Sequence, residues 1–285
     1  MEKMIQFENV SKQLGDFSLK NISFALPKGY IMGLIGANGA GKTSVLNLIL
    51  GLYQPDAGEV KLFGCDYASE ERNIRDQIGY VLADHDLFPD NKKLLDNADL
   101  LGNYYRHYNK NALIEYCGEF SLDVNKKWKN LSKGERLKFQ FAFALAHQSK
   151  LLVLDEPTAN FDPQFKEQFL HRVTDFIRDG EHSVILVTHQ LKELDKIADH
   201  ITLLHQGRLL FSEEKESLMD RYRLVQGEAY KVELLNKERI VYKEVSEYAA
   251  CALIRHRKID TYDHALTVSV PAMEDIMYYF IKAKT

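Results

Sequence analysis

The chain has 285 residues, 45% hydrophobic and 27% charged. This ordinary globular composition excludes wholesale disorder and allows one large domain, or one domain with an appendix. Lys and Arg number 37 against 41 Asp and Glu, a formal charge of −4, which argues against a globally basic nucleic-acid binder.

Cys65, Cys117 and Cys251 lie far apart; they make neither a disulfide framework nor a metal cluster and fit a reducing compartment. Charges interrupt any apolar stretch at the N-terminus, so no signal peptide is expected. No run of about 18 apolar residues occurs, so no transmembrane helix is expected. Residues 4–10 and 19–26 alternate as strands, with a turn at Pro27-Lys28-Gly29. Residues 30–35 form a compact apolar run, and 42–50 read as a helix with Val45, Leu46, Leu48, Ile49 and Leu50 as its apolar positions. Residues 58–63 read as another strand. From about 84 to 147 the strand signals fade, and 94–108, 112–120 and 135–146 carry helical patterning, which reads as a helical insertion. Strands return at 151–154, 183–188, 200–204 and 208–211, with helices over 163–178 and 191–198 between them. Such alternation implies an α/β fold with a mostly parallel sheet and helices on its faces. The stretch Glu213-Glu214-Lys215-Glu216 reads as a solvated linker or a helix start, and 212–285 as a small mixed α+β appendix.

Three motifs carry chemistry. Gly36-Ala37-Asn38-Gly39-Ala40-Gly41-Lys42-Thr43, followed by Ser44, fits G-x-x-x-x-G-K-[ST] between a strand and a helix. Its glycines let backbone N–H groups cradle phosphate oxygens, helped by the positive end of the helix. Lys42 can reach the β- and γ-phosphates, and the Thr43 hydroxyl can ligate Mg²⁺. Second, Leu151-Leu152-Val153-Leu154-Asp155-Glu156-Pro157 is an apolar run of the kind that makes a buried parallel strand. Asp155 at its C-terminal end is placed to orient Mg²⁺, and Glu156 to polarise a water for in-line attack on the γ-phosphate. Third, Leu131-Ser132-Lys133-Gly134-Glu135 precedes an apolar helix. Ser132 and Glu135 make a capping box, so local physics alone gives a helix start.

The order and spacing of these motifs over about residues 4–211 resemble the ATPase subunits of ABC transporters. The resemblance implies a P-loop NTPase core with an N-terminal antiparallel β subdomain, a helical subdomain over about 84–147 and a nucleotide-binding domain over 1–211, with 212–285 as a C-terminal extension. It makes 131–135 the signature motif, in which Ser132 and Gly134 contact phosphate. Glu156 becomes the catalytic glutamate, Thr158-Ala159-Asn160-Phe161-Asp162 the loop that crosses a dimer interface, and His189 the switch histidine. ATP and Mg²⁺ are the implied ligands. The final segment around 271–280 is similar to the extension of one bacterial exporter branch, whose membrane subunit is a separate chain.

Departures from the family pattern matter. Lys133 and Glu135 stand where Gly and Gln are usual. Ala83 takes the position of a glutamine that contacts Mg²⁺ and water, and Asp84 or Asp86 is the candidate replacement. The aromatic that stacks on adenine aligns with Leu14, and Phe17 is the candidate replacement.

The resemblance implies an ATP hydrolase that closes as an ATP-sandwich dimer, favoured as a homodimer, and drives export through a separate integral membrane permease. No nucleic-acid partner is expected, and the chain would lie peripherally on the cytoplasmic face of the cell membrane. The surface for that permease is expected at Asp84-His85-Asp86-Leu87-Phe88-Pro89 and Tyr104-Tyr105-Arg106-His107-Tyr108. Two alternatives stay open: a soluble ATPase acting as an assembly factor, and a regulatory module with little hydrolysis, prompted by Ala83 and the altered signature.

Overall fold

The computed structural model describes residues 2–83, 87–257, 260 and 262–284. Strands β1 (Lys3–Leu14) and β2 (Phe17–Pro27) form a long hairpin; β3 (Ile31–Ile35) then leads through a glycine loop into α1 (Lys42–Ile49). After β4 (Ala57–Leu62) come α2 (Tyr67–Asp76), β5 (Ile78–Leu82), α3 (Leu94–Gly102), α4 (Lys110–Glu119) and α5 (Lys133–Ala146). Next follow β6 (Leu151–Asp155), α6 (Pro163–Phe176), β7 (Ser183–Val187), α7 (Leu191–Ile197), β8 (His200–His205) and β9 (Arg208–Glu214). The last part holds α8 (Lys215–Arg221), β10 (Tyr222–Glu228), α9 (Ala229–Glu233), β11 (Ile240–Val245), β12 (Ala249–Arg255), β13 (Thr267–Ser269) and α10 (Met273–Lys282).

The central sheet has the order β5-β6-β7-β3-β8-β9, parallel throughout except for β8 against β9. Its strands are apolar on both faces, and their period of two assigns alternate residues to two separate cores. Met32, Leu34, Leu151, Val153, Ile185 and Val187 join the core shared with β1, β2, β4 and α1. Ile31, Ile35, Leu152, Leu154, Val184 and Leu186 join the core shared with the helical region and α6. A one-residue register slip would exchange these sets, so the pattern fixes each strand's facing. The antiparallel sheet β2-β1-β4 covers the first core, which fits the expected N-terminal β subdomain.

The helical region is held by aromatic packing. Phe88 lies 4.8 Å from Trp128 and 5.0 Å from Phe139, and Phe141 lies 4.6 Å from Phe169. Each such side chain contributes about 1.5–3 kcal/mol by burial. Phe139→Ala is the single change most suited to loosening the region, at about 3–5 kcal/mol. α5 is tied to the edge strand β5 by the buried amide of Gln140, which accepts from Leu82 N at 2.8 Å and donates to Leu82 O at 3.3 Å.

The expected helix over 94–108 ends earlier, at Gly102. There the Tyr108 ring fills the space where a Cβ would sit, 2.2 Å from the nearest ring carbon. The chain turns back so that Tyr105 stacks on His147 at 4.1 Å. α2 and β5 are additional elements outside the expected set. The charged stretch 213–216 divides between the end of β9 and the start of α8. Beyond it, an antiparallel sheet β11-β12-β10-β13 packs against α10. Met273, Ile276 and Tyr279 of α10 are buried in the same core as the helical region, and Phe280 meets Phe211 at 5.0 Å.

Candidate functional site

The site lies at the C-terminal ends of β3, β6 and β7, where ligands bind in open parallel sheets. A cavity of about 530 Å³ is lined there by Asn38, Gly39, Gly41, Lys42, Thr43 and Ser44 from the glycine loop, together with Phe17, Ala83, Asp155, Glu156, Val187 and His189. Residues far apart in sequence thus meet on one concavity.

The loop is built by backbone chemistry. Gly41 has φ 107°, a left-handed value that other residues reach only with strain. A Cβ there would also lie 2.7 Å from Leu19 Cδ2 and 2.9 Å from Phe17 Cζ. Its absence lets the Phe17 ring rest against the loop beside α1's N-terminus. Ala40 is buried behind the loop and accepts from Gly207 N at 3.0 Å, which pins the loop to the β8–β9 turn. Lys42 is 8% exposed; its ammonium donates to Gly36 O at 2.8 Å and Ala37 O at 3.0 Å. Burial pulls its pKa below the ordinary lysine value, and the carboxylates of Glu156 and Asp155 oppose that shift.

Glu156 has φ 47°, an unusual conformation for a residue with a Cβ, of the kind that gathers at functional sites. It is held by its N–H donating to Val187 O at 2.9 Å. Its Oε1 lies 3.3 Å from His189 Nε2, and its Oε2 accepts from Thr188 Oγ1 at 3.5 Å. His189 is exposed, so an incoming ligand can reach it.

Ser132 and Gly134 sit elsewhere, at the N-terminus of α5, and do not line this cavity. Ser132 Oγ accepts from Glu135 N at 3.2 Å, and Glu135 Oε2 accepts from Ser132 N at 2.8 Å, which completes the capping box. Glu135 also pairs with Lys126 at 2.8 Å. Lys133 is exposed. Gly134 packs where a Cβ would lie 2.6 Å from Asn160 O, so this glycine lets α5 approach the loop after β6. The cavity wall at position 83 is a methyl group; Asp84 and Asp86, its candidate replacements, lie outside the described residues.

Reasoning from the sequence placed Thr158 only in the interface-crossing loop and missed Gln190 and Glu193, which join it in a polar chain behind the pair Glu156–His189, and Gln140, which anchors β5. Only closeness to the motifs could have pointed to Gln190 and Glu193. Among the described residues no helix is long and apolar enough to cross a membrane.

A profile of the ABC transporter family matches residues 19–159. The chain is 33% identical to the Nod factor export ATP-binding protein I of Burkholderia lata over 222 residues, covering 76% of this chain and 72% of that protein. It is 31% identical to the linearmycin resistance ATP-binding protein of Bacillus subtilis, over 76% of this chain and 71% of the relative. Among solved structures it resembles a dimeric ATP-binding cassette in a post-hydrolysis state bound to ADP and Pi, with TM-score 0.65 and 25% identity over 74% of this chain and 98% of the other. An ATP-binding subunit of an ABC transporter shares the fold at TM-score 0.71, with 23% identity over 75% of this chain and 91% of the other.

Proposed function

The chain belongs to the ABC transporter family as an ATP-binding, ATP-hydrolysing subunit, and from that premise we propose that two copies close around two ATP molecules to drive export through a separate membrane subunit. The observation that carries this reading is the division of the motifs. Lys42, Asp155, Glu156 and His189 share one cavity, whereas Ser132 and Gly134 stand on another surface. A second chain brings its own Ser132 and Gly134 over the first chain's phosphates, and the sites become whole in pairs. The likeness to a dimeric cassette supports this, and relatives named for Nod factor export and linearmycin resistance support export.

The glycine loop binds the phosphates through its N–H groups, and Lys42 exchanges its two carbonyl partners for phosphate oxygens. Phe17 lies beside the loop where the base can stack. Glu156 accepts a proton from the attacking water, and His189 orients the γ-phosphate against it. Thr43 and Asp155 line the same cavity. These hard oxygen donors fit Mg²⁺, which uses one or two protein ligands and keeps waters and phosphate oxygens for the rest. Bound there, Mg²⁺ would neutralise phosphate charge.

Residues 1–211 constitute the nucleotide-binding domain in this reading, with a helical subdomain over about 84–147, and 212–285 an extension. The membrane subunit docks in the cleft of about 200 Å³ where Leu52, Tyr67, Arg75, Tyr80, Leu87 and Tyr105 converge; aromatic residues and Arg suit an interface. The chain then sits peripherally on the cytoplasmic face. Pull-down from detergent-solubilised membranes tests the partner. Recovery of an integral membrane protein is expected, and recovery of soluble partners alone would favour an assembly factor.

A further inference from the structure

We propose that Glu193 is a positioning residue for hydrolysis, locking the loop after β6 to the loop after β7 so that Glu156 and His189 stay opposed. The inference rests on the assignment of those two residues to hydrolysis.

Glu193 lies in the first turn of α7 and is 7% exposed. Its Oε2 accepts from Thr158 Oγ1 at 2.7 Å, and its Oε1 lies 2.5 Å from Lys166 Nζ on α6. Thr158 is buried, two residues beyond Glu156. Lys166 also donates to Gln190 Oε1, on the residue after His189. Gln190 N donates to Thr188 Oγ1 at 3.0 Å, and that hydroxyl reaches back to Glu156 Oε2 at 3.5 Å. Both arms leaving the Glu193 carboxylate therefore end beside the Glu156–His189 pair.

Burial alone does not call for a charge here. Leu191 and Leu194 supply the apolar face of α7, and a buried carboxylate is costly unless it is paired and hydrogen-bonded. Glu193 is both, and its partners belong to the two segments that must hold register. Glu156 needs such support, because its left-handed backbone persists only where the surroundings enforce it. His189 is exposed, so its place relative to Glu156 is set by the backbone of 188–190. Without the Glu193 carboxylate, Thr158 and Lys166 lose a buried partner and both loops gain freedom.

The test compares full-length wild type with Glu193→Ala, Glu193→Gln, Thr158→Val and the double variant Glu193→Gln with Lys166→Met. Steady-state kinetics with Mg-ATP, equilibrium ATP binding and thermal melting are read on each. Glu193→Ala should lower kcat by at least about tenfold, the scale of a misplaced catalytic group, with KM and ATP affinity within about twofold. Thr158→Val, nearly the same shape, should show the same split more mildly and serves if Glu193→Ala does not fold. The double variant should fall below Glu193→Gln in kcat, because Lys166→Met also removes the donor to Gln190 Oε1 and with it the second arm. Thr158→Val and Glu193→Gln both holding kcat within about twofold would overturn the proposal, as would losses that follow melting temperature alone. Glu156→Gln is measured in parallel. Wild-type turnover in that variant means that the assignment of Glu156 has failed; a dead Glu156→Gln beside fully active Glu193 and Thr158 variants means that the positioning role alone has failed.

Discussion

Nε2 of His189 lies 3.3 Å from Oε1 of Glu156. The two residues follow neighbouring parallel strands, β6 and β7, whose register pairs Asp155 with Val187. In the function proposed here these two are the base and the orienting group, set side by side on the wall of the cavity that Lys42 and Thr43 also line. Glu156→Gln should lower turnover by about 100-fold or more, the scale of a lost general base, with ATP affinity nearly unchanged. Phosphate release and equilibrium binding measure the two quantities separately. Wild-type turnover in this variant would remove Glu156 from the chemistry.

Lys42 is held on two carbonyls in a buried setting that lowers its pKa. Below the ordinary lysine pKa of about 10.4, the folded chain therefore binds fewer protons at this site than the unfolded chain. Stability of the nucleotide-free protein gains a component that rises with pH as that range is approached. Lys42→Met should flatten that rise in denaturant titrations between about pH 8 and about pH 10. It should also weaken ATP binding by about tenfold or more, as loss of a charge-assisted hydrogen bond implies. An unchanged affinity would contradict the role given to the ammonium.

At the start of α5, stability and catalysis can be separated. Ser132→Ala removes the acceptor for Glu135 N and should cost about 1 kcal/mol of stability. If Ser132 also meets phosphate across the dimer, ATP-driven dimerisation should weaken well beyond what that cost explains. Glu135→Gln keeps a capping box and loses only a half-exposed pair with Lys126, so stability should change by less than about 1 kcal/mol. Chemical unfolding beside sedimentation with ATP checks both variants.

His147 is a pH sensor of the fold rather than of the site. Burial pushes its pKa down to about 4, against the carbonyls of Phe143 and Ile78, which favour the charged ring. The folded form keeps the ring neutral, so its contribution is present above about pH 6.5 and is lost as pH falls from there to about 4. A depression of this size corresponds to about 3 kcal/mol at full protonation. His147→Gln keeps a donor and does not titrate. The difference in stability between wild type and this variant should shrink across that window; a difference independent of pH would refute the assignment.

The parallel core and its phosphate loop were legible because Ile31–Ile35, residues 151–154 and residues 184–187 are unbroken apolar runs and the loop after the first of them carries Gly36, Gly39 and Gly41. Two elements escaped for physical reasons. α2 buries little beyond Ile74 and Asp76, so it lacks an apolar stripe; its signals were the Asp66 cap and the Glu71–Arg75 pair one turn apart. β5 sits beside a polar turn and is completed by the buried Gln140 amide, a long-range partner that no local pattern reveals. The helix read over 94–108 overran because Tyr104, Tyr105 and Tyr108 keep helical spacing, whereas packing on His147 and Phe143 bends the chain at Gly102. The phosphate, carboxylate and histidine motifs were readable one by one. The bond from Thr158, two residues beyond Glu156, to Glu193 was not, since it depends on the loop after β6 meeting α7.

The most direct measurement is sedimentation velocity of the Glu156→Gln chain with Mg-ATP and, separately, with Mg-ADP. A shared sandwich predicts a dimer with ATP that returns to monomer with ADP, and a loss of the dimer when Ser132→Ala is added. A monomer under saturating ATP, together with wild-type chain that hydrolyses at an unchanged rate per molecule on high dilution, would contradict it.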